Sequence, residues 1–382
     1  MRRQLAALII GLLLWLPALA VEEWRDADAG MRIAVTVDEP TGNLADFPVE
    51  FKCVAGWGVT YADISNGYVS FYDGSGTRMN FEPEVAIADS GGNATFIYWV
   101  CKPFLYAAPS DDQNVIYLYY DKTAADASNV PTSVWDANFK VVYHLQGANA
   151  AACTDSKGNH NVSASGGSPA FQQAGAVGYC VDFEAGTSDY LYVTDPTALE
   201  TTVGGLTLSA WTKLESTSVY PGLLCKATSA LPAGSAMLYA GSTKGRAYVS
   251  EDDATALAKD CNTAINDGAW HQLAMVWDGS TLQLYTDGSA DGSVDGYDST
   301  FTSSSAANLT IGRLFSNSAT NYWDGLVDEC RWSAAARSAA WIAFEYANAN
   351  EADNELTPGS PESAPAGGAG TPLHYYRRRW SQ

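Results

Sequence analysis

The chain has 382 residues, of which 47% are hydrophobic and 12% aromatic, enough to bury the cores of about two domains. Its formal charge of −22 repels phosphate backbones and anionic lipid, which excludes nucleic acid and membrane surfaces as expected partners. Neutral glycans, cationic surfaces and divalent cations stay open as ligands.

The first twenty residues have the three-part pattern of a secretory signal peptide. Arg2 and Arg3 precede an apolar run over 5–19, and the sequence Ala-Leu-Ala ends at Ala20. Cleavage after Ala20 would change the formal charge from −22 to −24. We expect a mature chain that is secreted, at the cell surface or in the periplasm. A membrane span is not expected, since no later stretch has the roughly 20 apolar residues that it needs.

Residues 21–122 are predicted to form a small β-sandwich. Short alternating segments separated by Gly, Asp, Asn and Ser recur there, and the last of them is NVIYLYY at 114–120. Apolar or aromatic residues occupy both faces of that segment, which predicts a strand covered on both sides. The small, polar residues at 123–136 are interpreted as a linker.

Residues 137–349 contain about ten further short strands separated by turn signals, a spacing typical of a sandwich or barrel. One segment, SAAWIAFEYANA, favours a helix whose N-terminus Ser338 would cap. Residues 350–382 are rich in Pro, Gly, Ala and Ser and are expected to be disordered. The basic end of this tail, HYYRRRW, either docks on an acidic surface of this chain or a partner, or does nothing specific.

The stretch DGAWHQLAMVWDG followed by TLQLYTDG, residues 267–288, has the alternation and the Asp-Gly turn of a β-hairpin. This hairpin resembles the central one of LamG-like, concanavalin A-like jelly rolls. HLQGANAAACTDSKGNHN, YCVDF, GLTLSAWTK, LTIGRLF and WDGLVDECRW resemble other parts of the same family. The resemblance covers 137–349 and implies two curved antiparallel sheets packed face to face.

In that fold Trp270 and Trp277 are expected in the core or at its rim, and His271 is expected to be structural. Residues 22–122 resemble a bacterial extracellular domain of unknown function that commonly precedes such jelly rolls, through FPVEFKC, VSFYDGSGTRMNFEPEV and ATFIYWVCKPFL. The expected fold is therefore all-β, a small N-terminal β-sandwich followed by a concanavalin A-like jelly roll.

Seven cysteines in an exported chain favour structural disulfides over metal or redox sites. We expect one bridge within each unit, Cys53 with Cys101 and Cys225 with Cys261. The jelly-roll resemblance adds Cys180 with Cys330, since the corresponding strands are often neighbours in that fold. Cys153 would then stay unpaired, and Cys153 with Cys180 is the competing pair.

Catalytic patterns are weak. Glycoside hydrolases of this superfamily carry several acids on one strand. Here Asp328 and Glu329 are expected on opposite faces of a strand, and Asp182 with Glu184 lack a third acid. The sequence therefore favours a protein that is not an enzyme, with hydrolase as a less favoured alternative.

The jelly-roll resemblance implies a structural calcium ion, whose oxygen ligands would come from Asp155, Asn159 and Asp328. The alternative is that Asp155 caps a turn and Asp328 pairs with Arg331 or another cation.

Ligand recognition is expected to use exposed aromatic rings, on which the apolar faces of sugars stack. Tyr190, Tyr220, Tyr322 and Trp323 lie in or beside loop-like segments and are the candidates. We expect an exported binding or adhesion protein whose jelly roll recognises carbohydrate or a cell-surface receptor. The alternative is a structural subunit of a cell-envelope or extracellular assembly that uses the basic tail.

Overall fold

The computed structural model describes residues 24–365, with gaps at 54–55, 89–93, 111, 195–198, 200–201, 217–219, 232, 251–255, 297–299, 304–306 and 351–354. The expected signal peptide at 1–20 and the basic end of the tail lie outside the described residues. In the described part of the chain no helix is long and apolar enough to cross a bilayer.

The N-terminal unit begins with seven strands and a one-turn helix. They are β1 (Met31–Val37), β2 (Leu44–Cys53), α1 (Tyr61–Ser65), β3 (Ser70–Asp73), β4 (Arg78–Met79), β5 (Phe81–Ala88), β6 (Ala94–Leu105) and β7 (Val115–Tyr120). One antiparallel sheet contains β1, β7, β3 and β4, and a three-stranded sheet has the order β2-β6-β5. Every residue of β7 is buried, as its two-faced apolar pattern predicts.

The described residues of the jelly roll form fifteen strands. They are β8 (Phe139–Tyr143), β9 (Ala164–Gly166), β10 (Ala170–Ala174), β11 (Tyr179–Phe183), β12 (Tyr190–Val193), β13 (Leu206–Leu214), β14 (Gly222–Lys226), β15 (Ser235–Gly241), β16 (Lys244–Ser250), β17 (Ala256–Ala264), β18 (His271–Trp277), β19 (Thr281–Thr286), β20 (Ser289–Asp295), β21 (Leu309–Ile311) and β22 (Gly325–Ser333). Short 3-10 helices occur at Pro131–Ser133, Ala150–Ala152 and Ala185–Thr187.

These strands form the two facing antiparallel sheets that the resemblance implies. The eight-stranded sheet has the order β10-β11-β22-β13-β18-β19-β20, with β8 also paired to β22. The seven-stranded sheet has the order β17-β16-β15-β14-β21-β12-β9. Leu208, Met275 and Trp332 stand in register across three strands of the first sheet and belong to the core between the sheets.

The predicted hairpin is β18 and β19, joined through Asp278 and Gly279. Trp277 lies in the sandwich core, as expected, and the half-buried Trp270 packs against the cluster between the two units. His271 is structural, because its Nδ1 lies 2.8 Å from an Asp287 carboxylate oxygen and its Nε2 lies 3.0 Å from an Asp267 oxygen. The ring thus ties both ends of the hairpin together.

The predicted helix is α2, Ala339–Ala349. Ser338 Oγ accepts a hydrogen bond from the Trp341 backbone N–H at 3.1 Å and so caps the N-terminus, as predicted. The Trp341 ring lies 4.8 Å from that of Phe47, so the helix packs against strand β2 of the N-terminal unit.

The structure of residues 356–363 corrects the expectation of a disordered tail. Residues expected to be disordered form two further strands, β23 (Leu356–Pro358) and β24 (Glu362–Ser363), and both pair with β1. An unpaired edge of β1 would expose a row of backbone donors and acceptors, and these short strands cover it. Arg32 Nε donates to Glu362 Oε2 at 2.8 Å. The proline-rich composition did not predict these strands, although Pro is tolerated in an edge strand.

The N-terminal unit and the jelly roll share a continuous buried cluster. The outer face of the three-stranded sheet packs on the outer face of the eight-stranded sheet, where Arg331 lies 4.5 Å above the Trp99 ring. Ala274 and Val276 of β18 belong to the same apolar cluster as Phe47 and Phe51 of β2. The segment interpreted as a linker, 123–136, contributes the buried Val134 and Trp135 to it.

No disulfide joins the seven cysteines, all of which lie among the described residues. Cys53 and Cys101 stand five residues apart along the β2–β6 pairing, about 17 Å, whereas a bridge tolerates about 7 Å between Cα atoms. Two intervening strands separate Cys225 from Cys261, a gap of about 14 Å.

The third expected bridge fails because its sulfurs point to opposite faces. Val181 pairs with Val327 inside the sandwich, so the adjacent Cys180 faces outward. Cys330 lies in the sandwich core. The competing pair fails for the same reason, since Cys153 also belongs to that core.

Candidate functional site

Two surfaces of the jelly roll concentrate residues with binding chemistry. The first is the outer face of the seven-stranded sheet, here called the tyrosine face. Leu191 and Val193 of β12 point into the sandwich, so Tyr190 and Tyr192 point outward. The same alternation on β15 places Tyr239 outward.

At one side of the tyrosine face, Tyr190 and Tyr322 lie with ring centroids 6.0 Å apart, and both are half-buried. Tyr192 lies 5.9 Å from Tyr190. The Arg313 guanidinium sits 3.7 Å from the Tyr190 ring centroid, which holds that ring in place by a cation–π contact. The arrangement offers neighbouring aromatic surfaces of the kind on which sugar rings stack.

On the far side of β14 and β21, Tyr220 is 44% exposed, the highest value among the large apolar side chains that the structure describes on this face. Its ring lies 6.1 Å from that of Tyr239. Arg246 donates to the Tyr239 hydroxyl at 2.8 Å and to an Asp260 carboxylate oxygen at 2.9 Å, which fixes the edge of this group.

Trp323 is removed from the candidate ligand residues. Its side chain is fully buried in the sandwich core, because it follows the outward Tyr322 in an extended segment and so points inward. Three of the four sequence-predicted aromatics thus lie on the tyrosine face, and sequence reasoning missed Tyr192 and the two arginines. Their signal was the β12 alternation Tyr-Leu-Tyr-Val.

The second surface is buried between the two units and is here called the charged cluster. It is formed by eight side chains: Glu50, Glu82, Glu84, His144, Asp328, Glu329, Arg331 and Glu345. Strand pairing aligns Glu50 and Glu82 with Trp99 on the outer face of the three-stranded sheet. His144 directly follows β8, and β22 supplies three further members.

A backbone irregularity in β22 creates much of this cluster. Asp328 and Glu329 were expected on opposite faces, but the β13–β22 register shifts there and Glu329 has φ of +48°. This bulge turns Glu329 to the same outer face as Asp328 and Arg331. A left-handed non-glycine residue costs of order 1 kcal/mol, and such strain often marks functional sites. The alternation of apolar and polar residues in the sequence does not predict this bulge.

Hydrogen bonds and ion pairs hold the charged cluster. Glu329 Oε1 lies 2.6 Å from His144 Nδ1, and Glu329 Oε2 accepts from Arg331 Nη2 at 2.6 Å. The other Arg331 terminal nitrogen lies 2.9 Å from Glu345 Oε1. The indole N–H of Trp99 donates to Glu84 Oε2.

Burial and neighbouring charges shift the pKa values of these groups in different directions. It raises the pKa of Glu84 well above the ordinary value, and the adjacent Glu329 charge adds to that. Burial also raises the pKa of Asp328, again with Glu329. For Glu329 itself burial acts upward, but His144 and Arg331 outweigh it and the pKa is lowered. Burial alone would lower the pKa of His144, yet Glu329 and Glu84 raise it well above normal.

The residues expected to bind calcium have other roles in the structure. The Asp155 carboxylate accepts four backbone N–H bonds, from Val142, Lys157, Asn159 and His160, at 3.0 to 3.1 Å. A carboxylate has about four acceptor positions, so these bonds occupy them and favour the turn-capping interpretation.

Asp328 accepts from the backbone N–H groups of Val177 and Glu329, both at 2.9 Å. Both carboxylates thus have backbone N–H partners. Calcium at Asp155, Asn159 and Asp328 stays a prediction.

A second group of acids lies at the end of β11. Asp182, Glu184 and Glu215 each place a carboxylate oxygen within 4.8 Å of the others. Asp182 is half-buried and the other two are exposed. The third acid missing from the Asp182 and Glu184 strand therefore comes from the chain just after β13.

The architecture defines the class of this part of the chain, an antiparallel two-sheet jelly roll with an aromatic outer face. Residues 185–343 match the family model of the concanavalin A-like lectin/glucanases superfamily. This part of the chain is therefore a concanavalin A-like jelly roll, and the resemblance stated from the sequence is confirmed there. No curated protein matches the chain.

Several solved structures are similar. Domain 4 of AbnA, a GH43 extracellular arabinanase from Geobacillus stearothermophilus, determined with arabinotriose, is 17% identical over 55% of this chain and 98% of its own length, with a TM-score of 0.43. The binding domain of Paraclostridial Mosquitocidal Protein 1 is 11% identical over 55% of this chain and 52% of its own, with a TM-score of 0.42. A structure of botulinum neurotoxin type C is 10% identical over 56% and 51%, with a TM-score of 0.43.

Proposed function

We propose that this is an exported, non-enzymatic binding protein whose jelly roll recognises carbohydrate through the tyrosine face. The observation that carries the proposal is the cluster of half-buried rings at Tyr190, Tyr192 and Tyr322, with ring centroids about 6 Å apart. Sugar rings present apolar C–H faces that stack on such surfaces, and polar groups beside them orient the hydroxyls. The family match over 185–343 supports the same class of function.

Export is part of the proposal and rests on the sequence pattern at 1–20. A cell-surface protein is the alternative ligand, because exposed tyrosine and arginine are also enriched in protein interfaces. A glycan array distinguishes a carbohydrate ligand from a protein ligand, since a protein receptor gives no glycan signal.

The test is a glycan array probed with the full chain, with and without Ca²⁺, followed by calorimetric titration of the strongest ligand. Tyr322→Ala should weaken binding by about two- to tenfold, since ring contacts contribute about 0.5–1.5 kcal/mol each. Tyr220→Ala tests whether the far group takes part. Tyr179→Ala is the matched control, an exposed tyrosine on β11 of the other sheet.

An array with no specific signal in either condition contradicts the carbohydrate proposal, as does equal affinity of Tyr322→Ala and the unmodified chain. Release of reducing sugar from β-glucans would overturn the non-enzymatic part and restore the hydrolase alternative.

A second candidate is a structural subunit of an envelope or extracellular assembly. It is favoured by the position of β24, since the Ala364 backbone N–H donates to the Gly30 carbonyl at 2.8 Å. The basic residues at 374–380, outside the described part of the chain, thus follow a segment anchored to the N-terminal sheet. Light scattering of the full chain and of a chain ending at Pro365 tests it. A monomer in both cases contradicts assembly through the tail.

A further inference from the structure

A small polar pocket opens onto the charged cluster. It has a volume of about 180 Å³, and its lining includes Glu82, Glu84, His144, Gln146 and Ser156. Ligand pockets for drug-sized molecules are about 300–1,000 Å³, so this one suits an ion with bound water. Its walls come from β5 of the N-terminal unit and from the segment that follows β8 of the jelly roll.

Two buried atoms at this pocket have no hydrogen-bond partner among the described residues. The Glu84 side chain has no exposed surface, and its Oε1 is unpartnered. His144 Nε2 also lacks a hydrogen bond among the described residues, and its ion-pair partner, Glu82 Oε2, lies 3.6 Å away. A buried polar atom without a hydrogen bond costs about 1–3 kcal/mol, so native folds rarely keep one.

The cluster also contains more acidic than basic side chains. Six carboxyl groups, of Glu50, Glu82, Glu84, Asp328, Glu329 and Glu345, face three cationic side chains. Those are Arg331, His144 and Lys52; Lys52 acts on Glu50, and the contacts of Arg331 go to Glu329 and Glu345. The pocket side of the cluster therefore has acids in excess, and buried carboxylates are stable when paired or bound to a cation.

Three donor groups converge at that side. One oxygen of Glu84, one of Glu329 and a ring nitrogen of His144 all lie within 4.8 Å of one another. Metal–ligand bonds of about 2.0–2.2 Å place tetrahedral donors about 3.4 Å apart, so small side-chain rotations suffice. An imidazole nitrogen beside carboxylates suits first-row transition metals better than Ca²⁺ or Mg²⁺, which prefer oxygen alone.

We propose that Glu84, His144 and Glu329 bind a divalent first-row transition-metal ion, of which Zn²⁺ is the probe, with an open coordination position facing the pocket. The ion binds His144 through Nδ1, which lies 3.7 Å from a Glu84 oxygen and 2.6 Å from a Glu329 oxygen, and favours the ionised form of both carboxyl groups. Because Glu84 belongs to the N-terminal unit and the other ligands to the jelly roll, the ion also joins the two units. The site is independent of the tyrosine face.

The experiment titrates the chelator-treated full chain with Zn²⁺ by calorimetry. One ion per chain is expected, bound with an affinity that Glu84→Gln lowers by at least about tenfold. Glu215→Gln is the matched control, a similar change in the acidic group around Asp182, and it should leave the affinity unchanged. Ca²⁺ at the same concentration should not compete.

A second measurement needs no variant and stands if Glu84→Gln fails to fold. In imidazole nitrogen NMR spectra of the unmodified chain, Zn²⁺ should shift the His144 resonances. No Zn²⁺ binding, unaltered His144 resonances, or wild-type affinity in folded Glu84→Gln would each overturn the proposal.

Discussion

The two outer faces of the jelly roll differ in what lies on them. On the eight-stranded sheet, helix α2 and the three-stranded sheet cover the outer residues, and Trp211 stacks on Tyr346 of that helix at 5.4 Å. On the seven-stranded sheet, Tyr190 and Tyr192 also point outward but stay half-exposed. Both faces are aromatic, yet one is a core and the other a surface. An outward-pointing aromatic residue is therefore a candidate for ligand binding only where no other part of the chain covers it.

The comparison predicts that aromatic residues on the covered face stabilise the fold. Trp341→Ala should lower the free energy of unfolding by about 3–5 kcal/mol, because it removes a ring that packs on Phe47 and under Arg337. Urea unfolding followed by tryptophan fluorescence measures it. A loss below about 1 kcal/mol would mean that α2 does not cover this face in solution.

The second prediction concerns the strands that complete the N-terminal unit. A chain ending at Asn350 lacks β23 and β24, and so loses the buried Leu356 and the pairing along β1. We expect a loss of about 2–4 kcal/mol from one buried leucine and several hydrogen bonds, together with association through the open edge. A chain ending at Pro365 is the control and should unfold like the full chain. Equal stability of both truncated chains would show that β23 and β24 contribute nothing to the free energy of unfolding.

The third prediction concerns the tyrosine face, where a substitution should have little effect on stability. Tyr220→Ala should change the free energy of unfolding by less than about 0.5 kcal/mol, since the side chain is 44% exposed and rests on the sheet from outside. The same urea experiment as for Trp341→Ala measures it. A loss of more than about 2 kcal/mol would make Tyr220 a structural residue and weaken its candidacy for ligand binding.

Sequence reasoning predicted the elements whose signals are local. The β18–β19 hairpin, the Ser338 cap and the two-faced burial of β7 follow from alternation, turn residues and capping chemistry. The charged cluster could not be predicted, because it depends on the packing of β5 against β22 and on the bulge at Glu329. Neither property is encoded in spacing along the chain.

The predictions of disulfides and of a disordered tail were wrong for a related reason. The expected export favours disulfides, but the register that keeps Cys53 five positions from Cys101 is a tertiary property. The tail composition argued for disorder, and only the open edge of β1 explains why Leu356–Pro358 is a strand.

An effect that depends on pH is expected where the cover of the eight-stranded sheet ends. Along the outer side of β11, Cys180 is buried whereas Asp182 is half-buried. Partial burial, with Glu215 and Glu184 next in importance, raises the pKa of Asp182 to about 6. A raised pKa means that folding disfavours the ionised form, so stability is lost as the pH rises from about 4 to about 6. Asp182→Asn does not titrate and should gain on the unmodified chain over that window, by less than about 1 kcal/mol because solvent screens the group. Urea unfolding at several pH values between 4 and 8 measures the difference, and Glu215→Gln should shrink it by removing a neighbouring charge. Parallel pH profiles for Asp182→Asn and the unmodified chain would show instead that Asp182 is as open to solvent as the tyrosine face.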